Sequence, residues 1–91
     1  MKSLVDFTFD GEAIPERMHG AITRYIERRI APGNFLTAVI CNDLREAVHR
    51  ADDENIKLLP AYVSYFYNEA PSPCWGSREK MNEWIAKAHK P

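Results

Sequence analysis

The sequence has only two cysteines, Cys41 and Cys74, and only four dispersed glycines among its 91 residues. Two cysteines do not make a disulfide framework, so we expect free thiols in a reducing cytoplasm. The scattered glycines provide no phosphate-binding loop, and neither a CxxC nor an HExxH motif occurs. These absences argue against an enzyme, and we expect no catalytic residues, no metal ligands and no cofactor.

Long apolar runs and an excess of charge are also missing. Asp6 and Asp10 interrupt the N-terminal segment, which therefore lacks the pattern of a signal peptide, and no segment reaches the ~18–20 apolar residues of a membrane span. The formal net charge of −1 argues against a protein that coats nucleic acid or an anionic membrane. We expect a cytoplasmic protein with no membrane partner.

The length predicts one domain over residues 1–91, because a second independent core would not fit. A composition with 45% hydrophobic and 27% charged residues is ordinary for a globular protein. We divide the domain into an extended arm over residues 1–12 and a helical bundle over residues 14–90.

The arm is predicted from the alternation over residues 4–10, which places Val5, Phe7 and Phe9 on one side. An Asp-Gly turn signal follows at residues 10–11. No second strand pattern is visible, so we interpret the segment as an arm lying on the helices. The alternative is pairing with the same segment of a second copy, which would satisfy its backbone hydrogen-bonding groups.

The spacing of apolar residues in the remaining chain predicts four amphipathic helices. The first runs from Pro15 to about Arg29, the second from Asn34 to Ala51 and the third from Leu59 to Ala70, and the fourth begins after a cap at Ser77. Between the second and third helices we expect a cap at Asp52-Asp53 and a short turn near Glu54–Leu58. Four such helices with short connections predict a mainly α domain, a small four-helix bundle.

Half of the ten aromatic residues fall between Leu58 and Ser77. At ~100° per residue, one stripe of the third helix is predicted to be core: Leu59, Val63, Phe66, Tyr67 and Ala70. Tyrosine and tryptophan often carry binding energy at protein interfaces. We therefore hypothesise that the neighbouring stripe and the following loop form an exposed patch that binds another protein: Leu58, Tyr62, Tyr65 and Trp75. The alternative for Trp75 is a lid over the open end of the bundle.

Three arginines, Arg17, Arg24 and Arg28, fall within a ~40° sector of the first helix. Aligned guanidinium groups can bind phosphates or the carboxylates of a partner. The alternative is a solvated face that glutamates on the same helix partly neutralise. This stripe supports a second candidate function, a nucleic-acid-associated protein, which the acidic total charge does not favour.

Asn42 and Asp43 are poor residues for the middle of the predicted second helix. Asp43 falls at the edge of the buried stripe, where a carboxylate needs a partner. We expect an ion pair or a hydrogen bond that joins two helices, with an arginine of the first helix as the candidate partner. A catalytic role would need a second reactive group, and the three histidines lie on separate predicted helices.

The stretch from Ile14 to Ile85 contains the segments IPERMHGAITRYIE, PGNFLTAVICNDLREAV, RADDEN and NEAPSPCWGS. With them the chain resembles small proteins encoded by bacteriophages and prophages. The resemblance implies a bacterial cytoplasm and a compact accessory protein that binds a host or phage component, and it implies no activity, cofactor or site residue. We therefore expect a non-enzymatic protein-interaction module, whose partner is another protein or a second copy of itself.

Overall fold

The structure, a computed structural model, describes residues 3–89. Its elements are β1 (Thr8–Phe9), β2 (Glu12–Ala13), α1 (Glu16–Arg28), α2 (Asn34–Ile40), α3 (Leu44–Arg50), α4 (Asp53–Lys57), α5 (Leu59–Asn68) and α6 (Arg78–Ala86), with 3₁₀ turns at Ser72–Cys74 and Lys87–His89. The mainly helical class is confirmed. The four-helix bundle is not confirmed, since the predicted second helix is divided into two. Residues 1, 2, 90 and 91 of the predicted arm and bundle lie outside the described range.

The N-terminal segment forms a hairpin. Strand β1 pairs antiparallel with β2, with Phe9 opposite Glu12. The two turn residues between them, Asp10 and Gly11, have positive φ angles of 53° and 79°. Two positive φ angles are what a type I′ hairpin turn requires, so the turn signal is confirmed. The interpretation as an arm without a second strand is wrong, because the pairing strand follows directly in the same chain.

The predicted alternation of the arm is also wrong. Phe7 is buried, but Val5 is 78% exposed and Phe9 is 42% exposed. The chain before Phe7 is a turn, in which the N–H of Asp6 donates to the carbonyl of Ser3 at 3.0 Å. Extended geometry therefore begins only after this turn, and Val5 does not share a side with Phe7.

Helix α1 ends in a left-handed residue, Arg29, with φ of 60°. The N–H groups of Arg29 and Ile30 donate to the carbonyls of Tyr25 and Arg24 at 3.0 and 3.3 Å. These two hydrogen bonds satisfy carbonyls that the end of a helix leaves free. The predicted end of the first helix, near Arg29, is confirmed.

A left-handed residue also divides the predicted second helix, at Asn42, whose φ is 60°, and here the hydrogen bonds form a Schellman motif. The N–H groups of Asn42 and Asp43 donate to the carbonyls of Val39 and Ala38 at 3.1 and 2.9 Å. The Asp43 carboxylate then caps α3 by accepting from the N–H of Glu46 at 3.2 Å. Asparagine adopts the left-handed region at low cost and aspartate favours N-caps, so this dipeptide ends one helix and starts another.

This arrangement corrects the predicted role of Asp43. Across residues 3–89, no arginine of α1 forms an ion pair with Asp43. The carboxylate is instead used locally, at the N-terminus of α3. A mid-helix carboxylate needs a partner from another helix, whereas a capping carboxylate finds one in its own backbone.

The remaining caps agree with the sequence. The Asp52 carboxylate accepts from the N–H of Asn55 at 2.7 Å and starts α4. The Ser77 hydroxyl accepts from the N–H of Lys80 at 3.1 Å and starts α6. Pro60 lies in the first turn of α5, where a helix tolerates the missing N–H.

Hydrogen bonds through the core join α6 and the preceding 3₁₀ turn to α1. The hydroxyl of Tyr25 donates to the carbonyl of Cys74 at 2.5 Å, and the indole N–H of Trp84 donates to the carbonyl of Tyr25 at 3.0 Å. The Arg29 guanidinium lies 3.7 Å above the centre of the Trp84 ring. The largest fully buried side chains are Ile14, Ile22, Tyr25, Ile40, Tyr62, Phe66 and Cys74.

Among the helices described, none combines the length and apolar character that crossing a bilayer requires.

Candidate interaction surface

Helix α5 buries the tyrosines that the sequence analysis placed outside. Leu58, Tyr62 and Tyr65 are in the core, at 8%, 0% and 2% exposure. Tyr67, which was assigned to the core, is 72% exposed. The hypothesis of an exposed patch at Leu58, Tyr62, Tyr65 and Trp75 is therefore wrong for its first three residues, which have no surface to offer a partner.

The physical reason is that α5 is apolar on both sides, so helical periodicity alone does not decide which side is buried. The neighbouring aromatic rings decide it. Phe7 packs edge-on against Tyr65 with ring centres 5.2 Å apart, and Phe35 packs edge-on against Tyr62 at 5.1 Å. Burial raises the pKa of both tyrosine hydroxyls above the ordinary value, so both stay protonated at neutral pH.

Trp75, the fourth residue of the predicted patch, is half-buried at the end of α5. Its ring centre lies 6.4 Å from that of Phe66, which is fully buried, and 6.2 Å from that of the exposed Tyr67. The indole therefore covers one end of the core, in the manner of the alternative considered for it. It also packs edge-on against Tyr67 and limits the positions of that ring.

The opposite side of α5 is a surface that the sequence analysis did not identify. We call this side the outer face, and it comprises Pro60, Val63, Ser64, Tyr67 and Asn68. Together with Phe9 and Leu59, the outer face lines an open hollow of about 540 Å³, which we call the Phe9 hollow.

No charged side chain lines the Phe9 hollow, and Val63 is 45% exposed there. Contiguous apolar surface of this kind on a small protein commonly marks an interaction site. The outer face and Phe9 are therefore the candidate site.

The apolar surface continues from Val63 onto α3. Val39, Leu44, Leu59 and Val63 border a second, small hollow of about 40 Å³, with the polar Asn42-Asp43 turn beside them. Leu44, the first residue of α3, is 69% exposed. The helix break at Asn42 therefore places an exposed leucine next to the outer face, which a continuous second helix would not do.

The basic stripe on α1 is not a set of three equivalent arginines. The Arg17 guanidinium binds the carboxylates of Asp52 at 2.9 Å and Glu54 at 2.8 Å, at the start of α4. Arg24 and Arg28 are exposed on α1. Arg17 is thus paired with two acidic residues, whereas Arg24 and Arg28 form no ion pair within residues 3–89.

Both cysteines are free thiols, as predicted. Cys74 is fully buried, and this burial raises its pKa to about 11. Burial also raises the pKa of Cys41, whose Sγ lies 3.5 Å from Sδ of Met81. A thiol with a raised pKa is a poor nucleophile at neutral pH, so neither cysteine has the environment of a reactive one. Within residues 3–89, no three His, Cys, Asp or Glu side chains are grouped to hold a metal ion.

One sequence signal could have indicated that α5 exposes an apolar surface. Helix α5 reads LPAYVSYFYN and has no charged residue over its whole length. A surface helix normally carries charged residues on its solvent side. When a helix has none, whichever side the core leaves uncovered must expose apolar or neutral polar residues, so the absence of charge predicts an apolar surface but not its position.

Comparison of the chain with protein-family models, with curated proteins and with solved structures gives no match.

Proposed function

We propose that this protein is a non-enzymatic protein-interaction module that binds its partner through the outer face of α5 and Phe9. The observation that carries the proposal is the Phe9 hollow, an open apolar depression of about 540 Å³ with no charged lining residue. Burying its apolar surface against a partner would contribute roughly 25 cal/mol per Å².

The most exposed aromatic ring of the chain supports this role. Tyr67 is 72% exposed and its ring packs edge-on against Trp75 at 6.2 Å. A tyrosine has few rotatable bonds, and a neighbouring ring restricts them further, so little side-chain entropy is lost when a partner covers it. Tyr67 thus has the properties of a binding hot spot.

The resemblance to phage and prophage proteins suggests what the partner is. We propose a host or phage protein in a bacterial cytoplasm, and the homodimer is the version in which the partner is a second copy. An accessory protein that acts by binding needs a rigid surface and no catalytic groups, which is consistent with the raised pKa values of both thiols.

Binding of nucleic acid is the weaker candidate. Arg17 is already paired with Asp52 and Glu54, so the stripe would act through Arg24 and Arg28. Two phosphate contacts release few counterions, and affinity for nucleic acid depends strongly on that number. We therefore place the function on the outer face.

Site-specific photocrosslinking in nuclease-treated bacterial lysate tests the proposal. One chain carries benzoylphenylalanine in place of Tyr67, and a matched control carries it in place of Arg24 on α1. We expect a defined crosslinked protein from position 67 and none from position 24. The same crosslink should disappear when Val63→Glu is added to the position-67 chain, provided that circular dichroism shows unchanged helix content.

The opposite pattern would contradict the proposal. A partner captured only from position 24 would move the function to the basic stripe of α1. A position-67 crosslink that persists with Val63→Glu would show that the outer face does not provide the affinity.

A further inference from the structure

The chemistry of the outer face restricts its occupant. No residue of α5 is charged, and none of the residues lining the Phe9 hollow is charged. A partner that presents charged groups to this surface would lose their hydration and gain no ion pair in return. The complementary surface must therefore be uncharged and largely apolar.

The outer face itself meets that requirement, and we propose that its occupant is a second copy of this chain, packed through the same face about a two-fold axis. This inference rests on the proposed function and specifies its partner. Closed two-fold dimers are the commonest oligomers, and they need a patch that is complementary to itself. The outer face has no charged residue, and its shape is complementary to itself, so it is such a patch.

The outer face has a protruding ring and borders a depression. Tyr67 is the protruding ring, at 72% exposure, and the Phe9 hollow is the depression, at about 540 Å³. The hollow is open and wide, and Tyr67 of the same copy borders it, so an aromatic ring of a second copy can lie across it. In a two-fold dimer, each copy inserts its Tyr67 into the hollow of the other.

The spacing along α5 fixes how the two helices would run. Pro60 and Tyr67 are seven residues apart, about 10 Å at the helical rise of ~1.5 Å per residue, with Val63 and Ser64 midway. An antiparallel pair with its axis near Val63 places the Tyr67 ring of each copy over Pro60 of the other. The small Ser64 side chain allows the two helices to approach closely near the axis.

The available area predicts a weak dimer. A fully exposed aromatic side chain offers ~150–250 Å² of surface. Tyr67 is 72% exposed and Phe9 is 42% exposed, so the two side chains together offer roughly 200 Å². Val63, Pro60 and Leu44 raise the total to about 400–500 Å² per copy, or about 800–1,000 Å² for the pair, which is in the range of weak interfaces. Specific interfaces begin at ~1,000–1,200 Å², so we expect a dissociation constant in the micromolar range.

Sedimentation velocity with charge-swapped chains tests the dimer. The native chain should pass from monomer to dimer between about 5 and 500 µM. Val63 lies near the proposed axis and faces its own counterpart, so Val63→Glu and Val63→Lys should each weaken self-association by about tenfold or more. An equimolar mixture of the two variants should restore a dimer, because the opposite charges then face one another.

A second variant controls for the possibility that a Val63 variant misfolds. Tyr67→Ser removes the inserted ring at a 72% exposed position and should abolish the dimer with unchanged helix content. Three results would overturn the inference: a native chain that stays monomeric over the whole range, a dimer that survives both Val63 variants, or a mixture that does not restore association. A monomeric native chain that still crosslinks another protein from position 67 would overturn the dimer and leave the proposed function standing.

Discussion

The hydroxyl of Tyr62 in α5 donates a 2.6 Å hydrogen bond to Oδ1 of Asn55 in α4. Asn55 is 4% exposed and is the buried polar residue of the described chain, and Tyr62 is fully buried. The backbone N–H of Asn55 in turn donates to the Asp52 cap, which also binds Arg17. A continuous path of contacts therefore connects a core hydroxyl on α5 with a surface ion pair on α1.

Substitution of either partner should destabilise the fold. Asn55→Ala leaves the Tyr62 hydroxyl buried without an acceptor, and we expect a loss of about 1–3 kcal/mol in the free energy of unfolding. Tyr62→Phe should cost about 1 kcal/mol, because it leaves the Asn55 oxygen without a donor. Urea unfolding of both single variants and the double variant gives the coupling energy. Additive effects would show that the hydrogen bond contributes nothing to stability.

Because Phe66 is buried and Tyr67 is exposed, substitutions at these adjacent residues should have different effects on stability. Phe66→Ala removes a fully buried ring and should cost about 3–5 kcal/mol. Tyr67→Ala removes an exposed ring and should change stability by less than about 1 kcal/mol. Thermal or urea unfolding measures both. Similar losses for the two variants would mean that Tyr67 lies in the core, as the sequence pattern suggested.

The helix break at Asn42 should tolerate glycine and resist β-branched residues. Asn42→Gly fits the φ of 60° without strain, and we expect stability within about 1 kcal/mol of the native chain. Asn42→Val should cost about 1–2 kcal/mol, because a side chain branched at Cβ is strained in the left-handed region. If α2 and α3 formed one continuous helix, the order would reverse: valine would be tolerated and glycine would destabilise.

Acid should remove the contribution of the Asp52 charge. The backbone N–H of Asn55 and the Arg17 guanidinium lower the pKa of the Asp52 carboxyl below its ordinary value of 3.8. A depressed pKa stabilises the fold above the ordinary value, and this stabilisation is lost as the pH falls through the lower folded-state value. Asp52→Asn keeps a capping oxygen but removes the charge, so it should be less stable than the native chain at pH 7.

This stability difference between Asp52→Asn and the native chain should shrink as the pH falls below 3.8. Urea unfolding at several pH values measures it, with Asp53→Asn as a control for the change in net charge. A difference that stays constant down to pH 2 would show that the Asp52 carboxylate gains nothing from its ionised form.

Local signals in the sequence determined most of the helix boundaries. Pro15, Asp52 and Ser77 mark helix starts because each suits a terminal position. The capping partners of Asp52 and Ser77 lie three residues along the chain. The Asp10-Gly11 turn is local in the same sense. Such features need no knowledge of the rest of the fold, and for this reason they could be predicted.

Only the tertiary structure decided which side of α5 is exposed. Tyr62 and Tyr67 both fit a helical stripe, and the choice between the two sides depends on rings far along the chain. Phe35 packs against Tyr62, and Phe7 packs against Tyr65. The partners of Arg17 are likewise more than thirty residues away. The sequence predicted an aromatic helix at this position, and long-range packing determined which of its residues are exposed.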